Sequence, residues 1–190
     1  MKVIGLTGNI GCGKSTVAGM LRSLGAAVID LDAVSREIRQ TDGEARTAIL
    51  RRFGTLDASA LARVVFADPG ALRDLEAIIH PRVRNAARER LAELAEAGAS
   101  SAVVEAIKLL ESPLLDACDT TWVVACREED AVARLAASRG MSEAAARARL
   151  ANQSPQDAKI AAADVVIDGS AQLDETRRQV EAAYAELMRS

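Results

Sequence analysis

The stretch Gly8-Asn9-Ile10-Gly11-Cys12-Gly13-Lys14-Ser15 decides how this 190-residue sequence is read. It fills every fixed position of the pattern GxxxxGK[ST], the phosphate-binding loop or Walker A motif. Its flanks agree. Val3-Ile4-Gly5-Leu6 before it is a short apolar run suited to a buried strand. After it, Val17, Met20, Leu21 and Leu24 recur at helical spacing until Gly25 stops them. The glycines let the backbone curl so that successive N–H groups face one concavity. The helix that follows aims its N-terminus, carrying roughly half a positive charge, at the same point. In such a loop Lys14 bridges the β- and γ-phosphates, Ser15 ligates Mg²⁺, and the backbone from Gly8 through Thr16 forms the cradle. A bare glycine turn would not need Lys-Ser in register, so the loop reads as a nucleoside triphosphate site.

Outward from the loop, four more short apolar runs follow: Ala26–Asp30, Ala102–Ile107, Trp122–Ala125 and Asp164–Asp168. The segments between them are rich in Ala, Leu, Arg and Glu and read as helices. Strands this apolar have no polar side to show water, so an α/β fold is expected: a five-stranded parallel sheet covered by helices on both faces. About seventy residues separate the second run from the third, far more than one crossover needs. Breaks at Gly43, Gly54, Asp68-Pro69-Gly70 and His80-Pro81 divide them, and residues 41–99 are read as a helical substrate-binding insertion. The Ala-rich segment 127–153, interrupted at Gly140, is read as a lid. The core is then 1–40, 100–126 and 154–190 of a single domain, closed by a last helix with Leu173, Val180, Tyr184 and Leu187 on one stripe.

Composition excludes several functions. The chain is 49% hydrophobic and 27% charged with a net charge of −3, too balanced for a nucleic-acid-coating protein. Ala supplies 39 residues and Phe, Trp and Tyr together only four, so bases have almost no aromatic platforms to stack on. The 24 basic residues divide into 20 Arg and 4 Lys. Cys12, Cys118 and Cys126 are odd in number and form no CxxC pair, which argues against a disulfide framework or a zinc site. His80 is alone. No run approaches the ~20 apolar residues that span a bilayer, and the first residues lack a signal-peptide core. A reduced cytoplasmic protein is expected, without nucleic-acid or membrane partners, a monomer or a weak homo-oligomer.

Among P-loop proteins the guanine-reading NKxD and the γ-phosphate sensor DxxG are both missing, as is the LSGGQ of transporter ATPases. A small-molecule kinase remains, in which an insertion and a lid close over two substrates and exclude water. Asp30-Leu31-Asp32 sits where the second strand ends, the edge at which open parallel sheets bind ligands. A carboxylate there can accept the proton of an attacking hydroxyl, or Asp32 can simply cap the next helix.

Together the loop, Asp30-Leu31-Asp32-Ala33-Val34-Ser35-Arg36, Ile78-Ile79-His80-Pro81 and Ala163–Asp168 resemble, in order and spacing, the signatures of bacterial dephospho-CoA kinases. The resemblance runs from about residue 3 to about residue 170. It implies a P-loop kinase fold with a helical CoA domain and a lid, and ATP-dependent phosphorylation of the ribose 3′-hydroxyl of dephospho-CoA with Mg²⁺. Dephospho-CoA and ATP are then the partners, and Asp32, matching the second Asp of the family pattern, the catalytic base. Arg36 is either a substrate-phosphate contact or the salt-bridge partner of Asp32. His80, otherwise a turn histidine, becomes a substrate-site residue with Arg82 beside it. Arg139, next to Gly140, matches the lid arginine; Arg134 reads as one more solvated arginine. The family's Asp-Ile-Pro after the third strand is here Glu105-Ala106-Ile107, followed by Lys108, so Glu105 and Lys108 are substrate-side candidates. Cys12 stands at a variable loop position, as an oxidisable thiol or a plain filler. The alternatives to this function are another small-molecule kinase, for a nucleoside or nucleotide, and a regulatory nucleotide-binding module.

Overall fold

All five apolar runs become strands: β1 (Lys2–Gly8), β2 (Ala27–Asp30), β3 (Ser101–Glu105), β4 (Thr120–Ala125) and β5 (Val165–Asp168). In the computed structural model, which describes residues 1–189, they form one parallel sheet in the order β2-β3-β1-β4-β5. β1 is central because it is apolar on both sides. Ile4 and Leu6 face one way and Val3 and Thr7 the other, all buried. Parallel register puts like faces side by side: Ile4 with Val103, Leu6 with Trp122, and Val124 with Ile167. The strand order reverses at β1, so its carboxyl end is the switch point at which this class of sheet binds ligands.

By contact density the chain forms two compact units, residues 1–29 with 93–190 and residues 30–92. In the first, α1 (Lys14–Ser23) and α9 (Leu173–Arg189) pack Val17, Leu21, Val180 and Tyr184 onto the Ile4, Leu6, Trp122, Ile167 face. The Tyr184 hydroxyl pairs with that of Ser101 at 2.7 Å, so the polar end of this core residue is satisfied. The Trp122 indole N–H is buried without a hydrogen-bond partner among the described residues. On the opposite face, Leu109 of one 3₁₀ turn and Cys118, just after a second, pack against Gly5, where an added Cβ would lie 2.8 Å from Leu109. Residues 127–153, expected to be a lid, contain α6 (Glu128–Arg139) and α7 (Glu143–Ala151), separated at Gly140 (φ 61°), with α8 (Gln156–Ala161) leading into β5.

The second unit is helical: α2 (Leu31–Thr41), α3 (Gly43–Phe53), α4 (Ala58–Ala67) and most of α5 (Pro69–Glu96). Three aspartates start its first three helices. Asp30, Asp42 and Asp57 each accept the N–H three residues on, at 2.8–3.0 Å, each cap contributing about 1 kcal/mol. Gly54 ends α3 at φ 70°, and the expected breaks at Gly43, Gly54 and Asp68-Pro69-Gly70 are all present. His80-Pro81 is not a break: α5 runs through it. Proline removes the bond that would reach the Ala77 carbonyl and crowds that turn. Two features offset this. Ile79 and Val83 are buried on either side of the proline, and the Arg82 guanidinium donates to the Ile78 carbonyl at 2.9 Å.

Two cysteines also depart from the sequence reading. Cys12 and Cys126 form a disulfide with Cα atoms 5.2 Å apart, where odd number and spacing had argued against one. Their separation of 114 residues leaves no local signature; the sheet brings them together, because Cys126 follows β4 and Cys12 lies in the loop after the adjacent β1. Cys118 is free, and burial, helped by Asp119, pushes its thiol up to about 11.

Candidate active site

The loop leaves β1 at Gly8, whose φ of 142° and closeness to the next strand leave no room for a side chain. A Cβ there would lie 2.3 Å from the Val124 carbonyl oxygen, and one on Gly11 2.7 Å from that of Ala131. The loop is thus pressed between the end of β4 and the first turns of α6. Gly13, also left-handed at φ 98°, starts α1 with no side-chain cap. Its carbonyl accepts from Thr16 and Val17 at 3.0 and 3.1 Å. With no acidic residue in its first turn, α1 offers its N–H groups and positive dipole end to an anion.

The two side chains that define the motif are held from different directions. Lys14 is 9% exposed and its ammonium donates to the Asn9 carbonyl at 3.3 Å. The Ser15 hydroxyl donates to Glu105 Oε1 at 3.1 Å. Glu105 is the last residue of β3, beside β1 in the sheet, and is 8% exposed. A hydroxyl and a carboxylate oxygen so placed are hard donors of the kind Mg²⁺ takes, two protein oxygens with phosphates and waters supplying the rest. No cluster of three or more His, Cys, Asp or Glu suited to a metal occurs among the described residues. The Ser15–Glu105 pair fits a Mg²⁺ that would share its coordination with the phosphates of a nucleotide. Glu105, expected on the substrate side, is thus the acceptor of the Ser15 hydroxyl.

Four distant residues back the loop. Arg134 of α6 donates to the Gly11 carbonyl at 3.3 Å and to the Gly169 carbonyl at 2.5 Å. It is therefore a clamp between the loop and the turn after β5, which corrects its reading as a solvated arginine. Gln153 accepts from the Ile10 N–H at 3.0 Å. Gln156 matches both backbone groups of Cys126, accepting from its N–H and donating to its carbonyl, each at 3.0 Å. Lys159, 3% exposed, donates to Asn9 Oδ1 at 2.8 Å and to the Ile107 carbonyl at 3.3 Å. Burial lowers the pKa of its amine, and Glu111 partly offsets the shift. Beside this layer opens a cleft of about 470 Å³ lined by Asn9, Cys12, Cys126, Arg147 and Gln153 among others. Sequence reasoning missed Gln153, Gln156 and Lys159; the only available signal was their spacing of three.

The remaining candidates divide between the units. In the first, Arg139 is exposed at the end of α6, and Lys108 is exposed on the turn after Ile107. In the second, Asp30 rather than Asp32 caps α2. Asp32 and Arg36 are both exposed, and Arg36 pairs with Asp30 at 3.9 Å instead of with Asp32. His80 is exposed on α5. Arg82 is held by Asp42 at 3.5 Å and Glu44 at 3.2 Å.

Sheet order and loop geometry define the class: an α/β domain of the P-loop kinase kind. Comparison with known proteins narrows it. Residues 2–175 match the family model described as dephospho-CoA kinase. A dephospho-CoA kinase of Symbiobacterium thermophilum is 43% identical over 192 residues, covering 97% of this chain and 80% of its own. One from Geobacter sulfurreducens is 41% identical, covering 97% and 98%. Among solved structures, TT1252 from Thermus thermophilus superposes with a TM-score of 0.84 at 38% identity over 98% of this chain and 97% of its own. The chain belongs to the dephospho-CoA kinase family.

Proposed function

We propose that this protein transfers the γ-phosphoryl group of ATP to the ribose 3′-hydroxyl of dephospho-CoA, giving coenzyme A and ADP. The observation that carries the reading is the phosphate loop on the central strand, with Lys14 and the Ser15–Glu105 pair in place, in a chain of this family over residues 2–175. The loop N–H groups from Gly8 to Thr16 hold the phosphates, and Lys14 leaves the Asn9 carbonyl to follow the β- and γ-oxygens. Ser15 and Glu105 hold Mg²⁺, which when bound neutralises charge on the β- and γ-phosphates. Asp32 accepts the proton of the 3′-hydroxyl as that oxygen forms the new P–O bond and the bond to ADP breaks. Its support is the family pattern and its place two residues beyond the end of β2. Because the transition state is loose, placing the hydroxyl matters more than the basicity of the carboxylate.

Arg139 follows the transferring group from the lid 127–153, a planar fork matched to phosphate oxygens. Arg36, His80, Arg82 and Lys108 serve dephospho-CoA, which the insertion 41–99 holds. Arg82 must exchange Asp42 and Glu44 for a phosphate to do so. We assign the protein to the cytoplasm on the kinase reading, with the Cys12–Cys126 disulfide a feature unusual for that compartment; no helix among the described residues is long and apolar enough to cross a membrane.

The test is incubation with Mg-ATP and a panel of dephospho-CoA, adenosine and other nucleosides, followed by mass identification of the product. Coenzyme A formed from dephospho-CoA is the expected result. A phosphorylated nucleoside alone would assign a different kinase, and ATP binding without transfer to any acceptor would leave a regulatory module.

A further inference from the structure

Lys159 is a buried charge that the mechanism above does not use. Only four lysines occur beside 20 arginines, and two of the four converge on one residue. Lys14 donates to the main-chain carbonyl of Asn9, and Lys159 to its side-chain oxygen. A cation at 3% exposure loses most of its hydration and is kept only where fixed acceptors replace the water. The acceptors here are Asn9 Oδ1 and the Ile107 carbonyl. Both lie at functional joints. Asn9 is the first variable residue of the phosphate loop, itself 9% exposed. Ile107 follows Glu105 by two residues, and its carbonyl also accepts from Thr7, the residue before Gly8, at 3.0 Å.

Lys159 thus ties the mouth of the loop to the chain leaving β3, across the same gap that the Ser15–Glu105 hydrogen bond spans. The neighbouring contacts of Gln153 and Gln156 hold the segment that carries it to Ile10 and Cys126. Lys14 is bound to a carbonyl that a phosphate can replace. Lys159 is bound instead to the Asn9 side chain and to the Ile107 carbonyl, an amide and a main-chain group of the fold itself.

We infer that Lys159 is a positioning residue for phosphoryl transfer, its ammonium fixing Asn9 and the Ile107 carbonyl so that the loop and Glu105 keep one spacing. The inference rests on the kinase reading. It differs from a purely structural role in its consequence. A structural lysine would set how much protein is folded; a positioning lysine sets the rate and nucleotide affinity of protein that is folded.

The experiment compares the wild type with Lys159→Met, Lys159→Arg, Asn9→Ala and the double variant Asn9→Ala/Lys159→Met. The readouts are kcat, both KM values, the dissociation constant for Mg-ADP by calorimetry, and the thermal midpoint. Lys159→Met is expected to lower kcat about tenfold to hundredfold, the scale of a small misplacement of reacting groups. It should also weaken Mg-ADP and leave KM for dephospho-CoA nearly unchanged. Lys159→Arg restores part of both losses. The double variant falls within about twofold of Lys159→Met, because the two residues act through one contact. Multiplying losses, or a folded Lys159→Met with wild-type kcat and Mg-ADP affinity, would overturn the inference. If Lys159→Met does not fold, Asn9→Ala alone carries the test: unchanged kcat and Mg-ADP affinity would then overturn it. Should the wild type make no coenzyme A, the kinase reading fails first, and the Mg-ADP affinities still decide whether Lys159 shapes the loop.

Discussion

The phosphate loop and the helical unit 30–92 are built by opposite means. The loop is a run of contiguous residues locked from behind by partners far away in sequence: Cys126 through a disulfide, Arg134 through two carbonyls, Lys159 through Asn9. Most of these contacts are partly or wholly buried. The helical unit takes its order from three local aspartate caps and from exposed ion pairs between its helices, Arg52–Asp74, Arg82–Glu44 and Arg90–Glu37. These are largely exposed, and its core is small: Val34, Ile38, Ala45, Ile49, Leu61 and Ile79 are among its few buried apolar residues. A site that must hold phosphates to a fraction of an ångström is over-determined. A unit proposed to accept a long, flexible substrate is held by contacts that can be exchanged.

Breaking the first kind of contact should therefore cost far more than breaking the second. The largest effect is expected at Lys14. Lys14→Ala should lower turnover by about three orders of magnitude, as removal of a principal charge from a phosphoryl-transfer site does, with the circular dichroism spectrum unchanged. Near-normal turnover would remove the loop from the chemistry. Next comes the disulfide. Reduction by a dithiol should lower unfolding free energy by about 2–4 kcal/mol, read as a lower denaturant midpoint. An unchanged midpoint would mean that backbone packing alone sets the loop. The smallest effect is expected at the exposed pair Arg52–Asp74, whose side chains are about half exposed. Asp74→Asn should change stability by less than about 1 kcal/mol, with its thermal midpoint close to wild type. A loss as large as that from reduction would erase the contrast between the two regions.

What was legible in the sequence follows the same division. The loop could be read because its chemistry is consecutive: glycines, lysine and serine in fixed register. The five strands could be read because each is apolar on both faces, and all five apolar runs fell within a few residues of the strands. Contacts that rest on the sheet could not be read. Ser15 and Glu105 are 90 residues apart, Gly11 and Arg134 123, Asn9 and Lys159 150. No local pattern links such positions. Cys12 and Cys126 were misread for the same reason, since cysteine spacing carries information only when ligands or bridges are near in sequence. His80-Pro81 was misread for a different one. Proline disfavours a helix interior locally, and tertiary burial of Ile79 and Val83 outweighs it.

The acceptor to which the loop delivers its phosphate defines the enzyme. The most direct measurement is the product formed from Mg-ATP and dephospho-CoA, identified by mass and by co-migration with authentic 3′-phosphorylated coenzyme A. Stoichiometric conversion to that isomer with release of ADP is expected, abolished in Lys14→Ala. Unreacted dephospho-CoA in the presence of folded, ATP-binding protein would contradict it.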